Sequence, residues 1–379
     1  MTVSGTDDAE PDRSAAPPAE TEPDARSGEA PDSAGRNWRR RAVGVLQWAV
    51  ALGAFWYVAR GVDWTATAAE LAGLDAAVVG GVVAVTVLEF GSRFSMWHAL
   101  LNGLERTGLA TTARVDLVIK FVNHVLPSKA SGHSVAPLVV RYYTDADWTD
   151  AVSVAGLNTG LYAALYGVVA LLGLALFATR LGGGWLLVIL LSTAIYLAAG
   201  GLVLLAGRRM DAAGRLASRL QGALGRVPRV GGRLADFAGA LPSFTADSAS
   251  AFRRLSARPS VVGVYALGWV GTLMLFPGLR VWLLLTGLGG EFAPAALLPV
   301  VLVTAYSVTV LPLTPGGVGV AEASATAVLV ALGVAPELAP VVVLVDRTFG
   351  VYLPAVIGWL PAANVDLGDL LARGDGENG

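Results

Sequence analysis

The stretch VLPLTPGGVGVAEASA, Val310–Ala325, interrupts the most apolar third of the chain with two prolines and three glycines. Proline removes a backbone donor and glycine allows a tight turn, so a membrane helix is predicted to break here. Glu322 follows the break with no basic residue close to it in sequence. An ionised side chain at the bilayer centre costs about 2.5–3.5 kcal/mol on insertion scales, so this carboxylate needs a partner or a function.

The composition around this break is that of a membrane protein. Of the 379 residues, 54% are hydrophobic and 15% are charged, whereas about 25% of residues are charged in a typical soluble domain. Several apolar segments are long enough to cross a bilayer core. The sequence therefore predicts an all-α polytopic membrane protein with six to eight transmembrane helices. The chain has no cysteine, which excludes disulfides and thiolate chemistry.

One transmembrane domain, residues 38–361, is predicted between two acidic tails. The tails, residues 1–37 and 362–379, are expected to be disordered because they have too little apolar surface to bury. Hydropathy predicts six full spans, at residues 42–59, 76–100, 151–178, 185–206, 260–285 and 338–360. Two internal repeats are predicted, at about 42–178 and about 184–361.

The basic residues predict the orientation of these spans. Four arginines lie between Arg36 and Arg41, before the first span, and ten lie in the polar connection 207–259. Short loops rich in lysine and arginine stay in the cytoplasm. We therefore expect a multi-pass protein of the cell membrane, with the N-terminus, the connection 207–259 and the C-terminus in the cytoplasm.

The interrupted motif has a second copy. VLPSKASGH at Val125–His133 and VLPLTPGGV at Val310–Val318 share the pattern V-L-P-x4-G. Three predicted spans, an odd number, separate the two copies. Two broken or re-entrant hairpins would then enter from opposite membrane faces, as in inverted-topology transporters, where such segments mark the substrate site. The alternative is a Pro-Gly turn between two ordinary spans.

Charged residues within the predicted spans need partners. Glu89 and Arg93 lie four residues apart, in the favourable order for a helical ion pair, and a self-neutralised pair is the simpler interpretation. Asp346 and Arg347 are adjacent, so they point about 100° apart on a helix and each needs a separate partner. Glu322 is the candidate partner of Arg347.

The candidate substrate-binding residues come from the two hairpins and the last span. Lys129, His133 and Arg141 are expected to form a cationic lining for an anionic head group, and the helix N-terminus after the second break is expected to offer an anion site. The full set is Asn123, Pro127, Lys129, His133, Arg141, Pro315, Gly316, Gly317, Gly319, Glu322, Asp346, Arg347 and Tyr352.

No enzyme signature is evident. The three histidines form no H-E-x-x-H or other metal-binding spacing, and GGVGVAEA is not followed by the G-K-[ST] of a phosphate-binding loop. The G-x-S-x-G of a hydrolase is also missing. We expect no catalytic residues, no metal, no cofactor and no nucleic-acid partner.

Three segments, in order, resemble one family. LPLTPGGVGVAEA resembles its Pro-Gly-Gly-(Leu/Val)-Gly-x-x-Glu signature, FVNHVLPSKASGH its Asn-x-x-Leu-Pro segment, and LVDRTFGVYLPAVIG its final Arg-x4-Tyr-x-Pro pattern. The family is the lysylphosphatidylglycerol synthase transmembrane domain, or flippase-like domain, and the resemblance covers roughly Arg40 to Leu360. It implies a lipid-handling membrane protein. In full-length synthases this region flips an aminoacylated phospholipid, and other relatives imply polyprenyl-phosphate-linked sugars.

The predicted function is translocation of a phospholipid or a polyprenyl-phosphate-linked lipid. Its partners would be membrane lipids with anionic head groups and a lipid-modifying enzyme. Two alternatives remain open. One is a non-catalytic membrane subunit or scaffold for a glycosyltransferase or synthase, and the other is an ion-coupled small-solute transporter that uses Asp346 and Glu322.

The orientation is testable because single cysteines can be introduced as unique probes. We expect Asn37→Cys, Gly225→Cys and Gly368→Cys to resist a membrane-impermeant maleimide in intact cells and to react after permeabilisation. Gly182→Cys, between the third and fourth spans, should react in intact cells. Labelling of any of the first three in intact cells would contradict the predicted topology.

Overall fold

A computed structural model describes residues 32–125, 129–224, 247–311 and 313–363. The chain divides into two units, residues 1–43 and 44–379, and the described residues of the first belong to the first helix. In the described ranges all regular secondary structure is helical and no β-strand is present. This confirms the all-α polytopic fold. The helices are α1 (Asp32–Ala59), α2 (Trp64–Ala72), α3 (Ala76–Leu101), α4 (Leu109–Val125), α5 (Lys129–Tyr143), α6 (Trp148–Phe177), α7 (Gly183–Leu224), α8 (residues 247–256), α9 (Pro259–Gly287), α10 (Ala295–Val310), α11 (Val320–Ala331) and α12 (Leu338–Ala363).

Six elements of the described chain are suited to crossing a membrane. Five are long, apolar helices, and the sixth is the pair Val45–Ala59 and Trp64–Ala72, bent by 69°. The six predicted spans fall on these elements. The five long helices are Ala76–Leu101, Trp148–Arg180, Gly183–Arg209, Pro259–Gly287 and Leu338–Ala363.

Two helices extend beyond the predicted spans. Helix α1 begins at Asp32, before the predicted start of the first span at residue 42. The predicted polar connection 207–259 is helical at both ends, because α7 continues past a kink at Arg209 to Leu224 and residues 247–256 form α8. Phe252 and Leu255 of α8 are buried, so this end of the connection packs against the protein.

Polarity is arranged as expected for a protein surrounded by lipid. Leu267 and Leu187 are 74% and 66% exposed, whereas Arg280 and Glu89 are 0% and 3% exposed. A soluble domain has the opposite arrangement, with charged residues at the surface and leucines inside. Its charged residues are almost never fully buried unless they are paired. The apolar outer surface therefore faces hydrocarbon, and the charges lie between the helices.

The two interrupted regions form helical hairpins that are too short to cross. Helices α4 and α5, the first hairpin, have 17 and 15 residues, and α11 of the second hairpin, α10–α11, has 12. At about 1.5 Å per residue these helices reach about 18–26 Å, less than the roughly 30 Å of a bilayer core.

The hairpins approach from opposite ends of α12. Tyr143, at the end of α5, donates a hydrogen bond to the carbonyl oxygen of Pro361 at 3.0 Å, near the C-terminal end of α12. Before α10, a Cβ added to Gly290 would lie 2.7 Å from Leu338 Cδ1, at the N-terminal end of α12. This arrangement agrees with the predicted opposite entry. A two-fold axis relating the repeats stays a prediction.

Two spans change their helical pitch where charged side chains are placed. Gly271–Leu275 in α9 and Thr348–Tyr352 in α12 are π-helical turns. A proline follows each turn, Pro277 and Pro354. Proline cannot continue the ordinary hydrogen-bond ladder, and a π-bulge is a common local adjustment at functional sites. Arg347 directly precedes the second turn, and Arg280 follows the first turn by five residues.

Close packing of α4 on α12 is testable at Gly358. A Cβ at this position would collide with the carbonyl oxygen of Leu117, a backbone atom that cannot rotate away. Overpacking typically costs about 1–3 kcal/mol, so Gly358→Ala should lower the melting temperature in detergent by several degrees. Gly80→Ala is the matched control, because its Cβ meets nothing within 4 Å. Equal melting temperatures for the two variants would contradict this packing.

Candidate functional site

A partly open cavity of about 420 Å³ lies between the hairpins and the spans. This central cavity is lined by α3, α4, α5, α6, α7, α9, α10, α12 and the turn before α11. The turn of the second hairpin lies against the end of α4, because a Cβ on Gly316 would lie 2.5 Å from His124 Cδ2. The cavity is therefore formed where the hairpins come together.

A chain of buried ion pairs forms one wall of the cavity. Arg93 Nη2 donates to Glu89 Oε1 at 2.9 Å, and Arg280 Nη1 donates to Glu89 Oε2 at 2.6 Å. Arg280 Nη2 donates to Asp346 Oδ1 at 2.6 Å, and the hydroxyl of Tyr306 donates to Asp346 Oδ2 at 3.1 Å. Every oxygen of these two carboxylates accepts a hydrogen bond, and the arginine cations neutralise both carboxylates.

Arg280 was missed by the sequence analysis. It lies within the predicted span 260–285, in PGLRVW, and the rule that charges in the membrane need a reason would have found it. Its position also corrects the interpretation of Glu89 and Arg93. Their predicted pair is present, but it is not self-neutralised, because Glu89 also accepts from Arg280.

The broken motif places Glu322 behind the cavity. Gly316, Gly317 and Gly319 have φ values of +61°, +77° and +82°, a left-handed region that glycine enters at little cost. The N–H of Gly319 then donates to Glu322 Oε2 at 2.6 Å. The helix N-terminus that was predicted to bind a ligand anion is thus occupied by the chain's own carboxylate, which corrects that prediction.

Glu322 also holds the predicted arginine. Arg347 Nε donates to Glu322 Oε1 at 2.7 Å, and the hydroxyl of Tyr352 donates to the same oxygen at 2.6 Å. Asp346 points to Arg280 instead. The expectation that the two adjacent charges take separate partners is confirmed, and so is the pairing of Arg347 with Glu322.

The cavity offers hydrogen-bonding atoms that the described protein does not satisfy. Arg93 and Arg347, which are 4% and 6% exposed, leave Arg93 Nε and Nη1 and Arg347 Nη2 without a hydrogen-bond partner. On α4, Asp116 Oδ2 and Asn123 Oδ1 are also unsatisfied. Buried polar atoms are normally hydrogen-bonded, so a ligand with anionic oxygens and hydrogen-bond donors fits these groups.

The predicted residues of the first hairpin have different outcomes. Pro127 and the side chains of Lys129 and His133 lie outside the described residues. Arg141 is not part of the cavity lining, and its guanidinium lies 4.7 Å from the ring centre of Trp148. A role of Arg141 in binding a head group stays a prediction. Lys120 of α4, one helical turn before His124, lines the cavity.

Of the remaining eight predicted residues, four line the cavity and four lie in the Gly-rich turn or contact Glu322. Asn123, Gly316, Asp346 and Arg347 line the cavity. The other four are part of the turn or hold Glu322, and they are Pro315, Gly317, Gly319 and Tyr352.

The opposite wall is aromatic. Tyr162, Tyr166 and Tyr196 line the cavity, and the rings of Tyr166 and Tyr196 stack with centroids 4.4 Å apart. Aromatic rings present flat, weakly polar faces. Across the described residues, no group of three or more histidine, aspartate or glutamate side chains is placed to hold a metal ion.

The structural role of Arg280 is testable by its removal. Arg280→Ala leaves Glu89 and Asp346 buried without their shared cation, and breaking a buried pair in this way costs about 3–5 kcal/mol. We expect a strongly lowered melting temperature in detergent. Adding Asp346→Asn to the same chain should recover part of the loss, since Glu89 keeps Arg93 as its partner and no carboxylate is then left alone. Arg60→Ala, at an exposed position, is the control, and equal effects of Arg280→Ala and Arg60→Ala would contradict the assigned role.

Comparison with known proteins agrees with this architecture. The family model described as the lysylphosphatidylglycerol synthase TM region matches residues 44–358, which include both hairpins and all but one turn of α12. No curated protein matches the chain. The matched region covers most of the chain and contains the ionic wall, the Glu322 turn and Arg347. The chain therefore belongs to the family of the lysylphosphatidylglycerol synthase transmembrane region.

Proposed function

We propose that this protein carries a lipid with an anionic head group, a phospholipid or a polyprenyl-phosphate-linked lipid, across the cell membrane, with its own termini in the cytoplasm. The observation that carries the proposal is the unsatisfied guanidinium surface of Arg93 and Arg347 in the central cavity. Family membership supports a lipid-related role. The cavity would hold the head group, while the hydrocarbon chains remain in the bilayer.

The phosphate is the part of the head group that best fits the two arginines. A guanidinium group has planar, fixed N–H donors that match phosphate oxygens in geometry and charge. Arg93 has two such donors free and Arg347 has one. The neighbouring carboxylates Glu89 and Asp346 are neutralised by Arg93 and Arg280, which reduces their repulsion of the phosphate.

The short hairpins would make translocation feasible. A charged head group that crosses hydrocarbon alone faces a large desolvation cost. In this fold the hairpins meet in the interior, at Gly316 and His124, and the polar cavity lies beside that contact. A head group in the cavity exchanges water for hydrogen bonds to arginine, and it needs to pass only one hairpin to reach either side.

Conservative arginine variants test the proposal. Arg347→Lys retains a cation beside Glu322 but loses the planar guanidinium with its unpaired N–H group, and Arg93→Lys does the same beside Glu89. A hydrogen bond to a charged group contributes about 1.5–3 kcal/mol, so each variant should slow translocation at least about tenfold. The assay uses vesicles that contain trace phosphatidylglycerol or polyprenyl phosphate with a fluorescent tail. Arg347→Ala should abolish activity.

The controls separate a lipid substrate from a small solute and from damage to the fold. Arg60→Lys, at an exposed position, should translocate at the wild-type rate. Melting temperatures should show that both lysine variants are folded. Uptake of radiolabelled glycerol phosphate, which has the phosphate but no tail, should equal that of protein-free vesicles. The proposal is refuted if neither lipid moves faster with wild-type protein than without it, or if the lysine variants are as active as wild type.

A further inference from the structure

A second depression, distinct from the central cavity, lies on the lipid-facing surface. This outer groove has a volume of about 340 Å³ and is formed by α6, α7, α9 and the end of α8. Its wall is mostly apolar, with Leu157 and Leu161 from α6, Gly201 and Leu204 from α7, and Val262 from α9. In a bilayer such a surface is covered by hydrocarbon chains.

The groove is apolar along its length and cationic at one end. Arg208, which lines it, is exposed and is the second-last residue of the span Gly183–Arg209. Arg253 of α8 donates to the carbonyl oxygen of Arg208 at 3.2 Å, so a second cation lies at the same end. Cations at the end of a span attract anionic lipid head groups. The apolar wall fits one hydrocarbon chain of a lipid, and the two arginines at the end of the groove fit its phosphate.

Only one layer of side chains separates the groove from the central cavity. Along α6, Leu157 and Leu161 line the groove, whereas their neighbours Asn158 and Tyr162 line the cavity. Tyr265 of α9 closes the seam between α6 and α9, because its hydroxyl lies 3.0 Å from both the side-chain and the backbone oxygen of Asn158. A lipid in the groove is therefore adjacent to the wall of the cavity.

We propose that the outer groove binds a hydrocarbon chain of an anionic phospholipid whose head group lies at Arg208, and that the adjacent seam between α6 and α9 is the entrance through which the head group reaches the cavity. The binding site stands by itself, while the entrance role rests on the proposed function. Opening the entrance requires the Tyr265 hydroxyl to release Asn158, and a polar head group can replace both partners of that bond.

Binding is tested by photo-crosslinking in the full-length protein. Gly201 is exposed and a Cβ there meets nothing within 4 Å, so a benzoylphenylalanine is accommodated and points into the groove region. In vesicles of equal phosphatidylglycerol and phosphatidylcholine, we expect severalfold more crosslink to phosphatidylglycerol. Arg208→Gln should remove that preference. The same probe at Gly263, exposed and open on α9 but outside the groove, should show none. An equal lipid ratio at both positions would overturn the site.

The entrance role is tested by filling the groove. Gly201→Trp should slow lipid translocation by at least tenfold, and the matched variant Gly263→Trp should leave it unchanged. Binding of a short-chain, water-soluble phosphatidylglycerol should persist in Gly201→Trp, since the cavity itself is intact. A wild-type rate in Gly201→Trp overturns the entrance. Failure of the wild type to translocate any lipid refutes the proposed function and the entrance together, while the crosslinking result still decides whether the groove binds lipid.

Discussion

The buried guanidinium of Arg280 holds the centre of the structure together. It joins Glu89 of α3 to Asp346 of α12 through contacts of 2.6 Å on each side, and it is itself on α9. Removing three charged groups from water costs several kcal/mol per ion, and only good geometry with saturated hydrogen bonds compensates for that cost. The three spans are therefore fixed in distance and rotation where the cavity begins. This saturation also decides which groups remain available to a ligand, and these are Arg93 and Arg347.

The break in the second hairpin has a related physical reason. The three left-handed glycines free the backbone N–H of Gly319, and Glu322 uses that donor while it also accepts from Arg347 and Tyr352. A carboxylate near a helix N-terminus is stabilised by the helix dipole as well as by these bonds. The chain thus supplies its own anion where a ligand anion was expected. A substrate anion has to bind at the arginines on the cavity side.

Hydropathy and motif spacing were enough to predict the spans, the two hairpins and the pairing of Arg347 with Glu322. These features are local or are encoded by a repeated pattern, which a single sequence contains. The pairing of Arg280 with Glu89 and Asp346 could not be predicted in the same way, because it depends on which helices are neighbours and how each is rotated. The contact of the Arg141 guanidinium with the ring of Trp148 could not be predicted either, because the position of a residue in a hairpin does not reveal its neighbours on the next helix.

The contact between Glu322 and Arg347 sets a condition on any movement of the second hairpin. Glu322 lies on α11 and Arg347 on α12, so withdrawal of α11 from α12 separates a buried ion pair, which is expensive if either partner is left alone. Glu322 would keep the N–H of Gly319, since both are on the hairpin, but Arg347 would lose its counter-ion. In the proposed function, the phosphate of the lipid provides the missing charge, because it binds the face of Arg347 that is free. Movement of the hairpin would then be cheap with a head group in the cavity and costly without one, so that the empty protein stays closed.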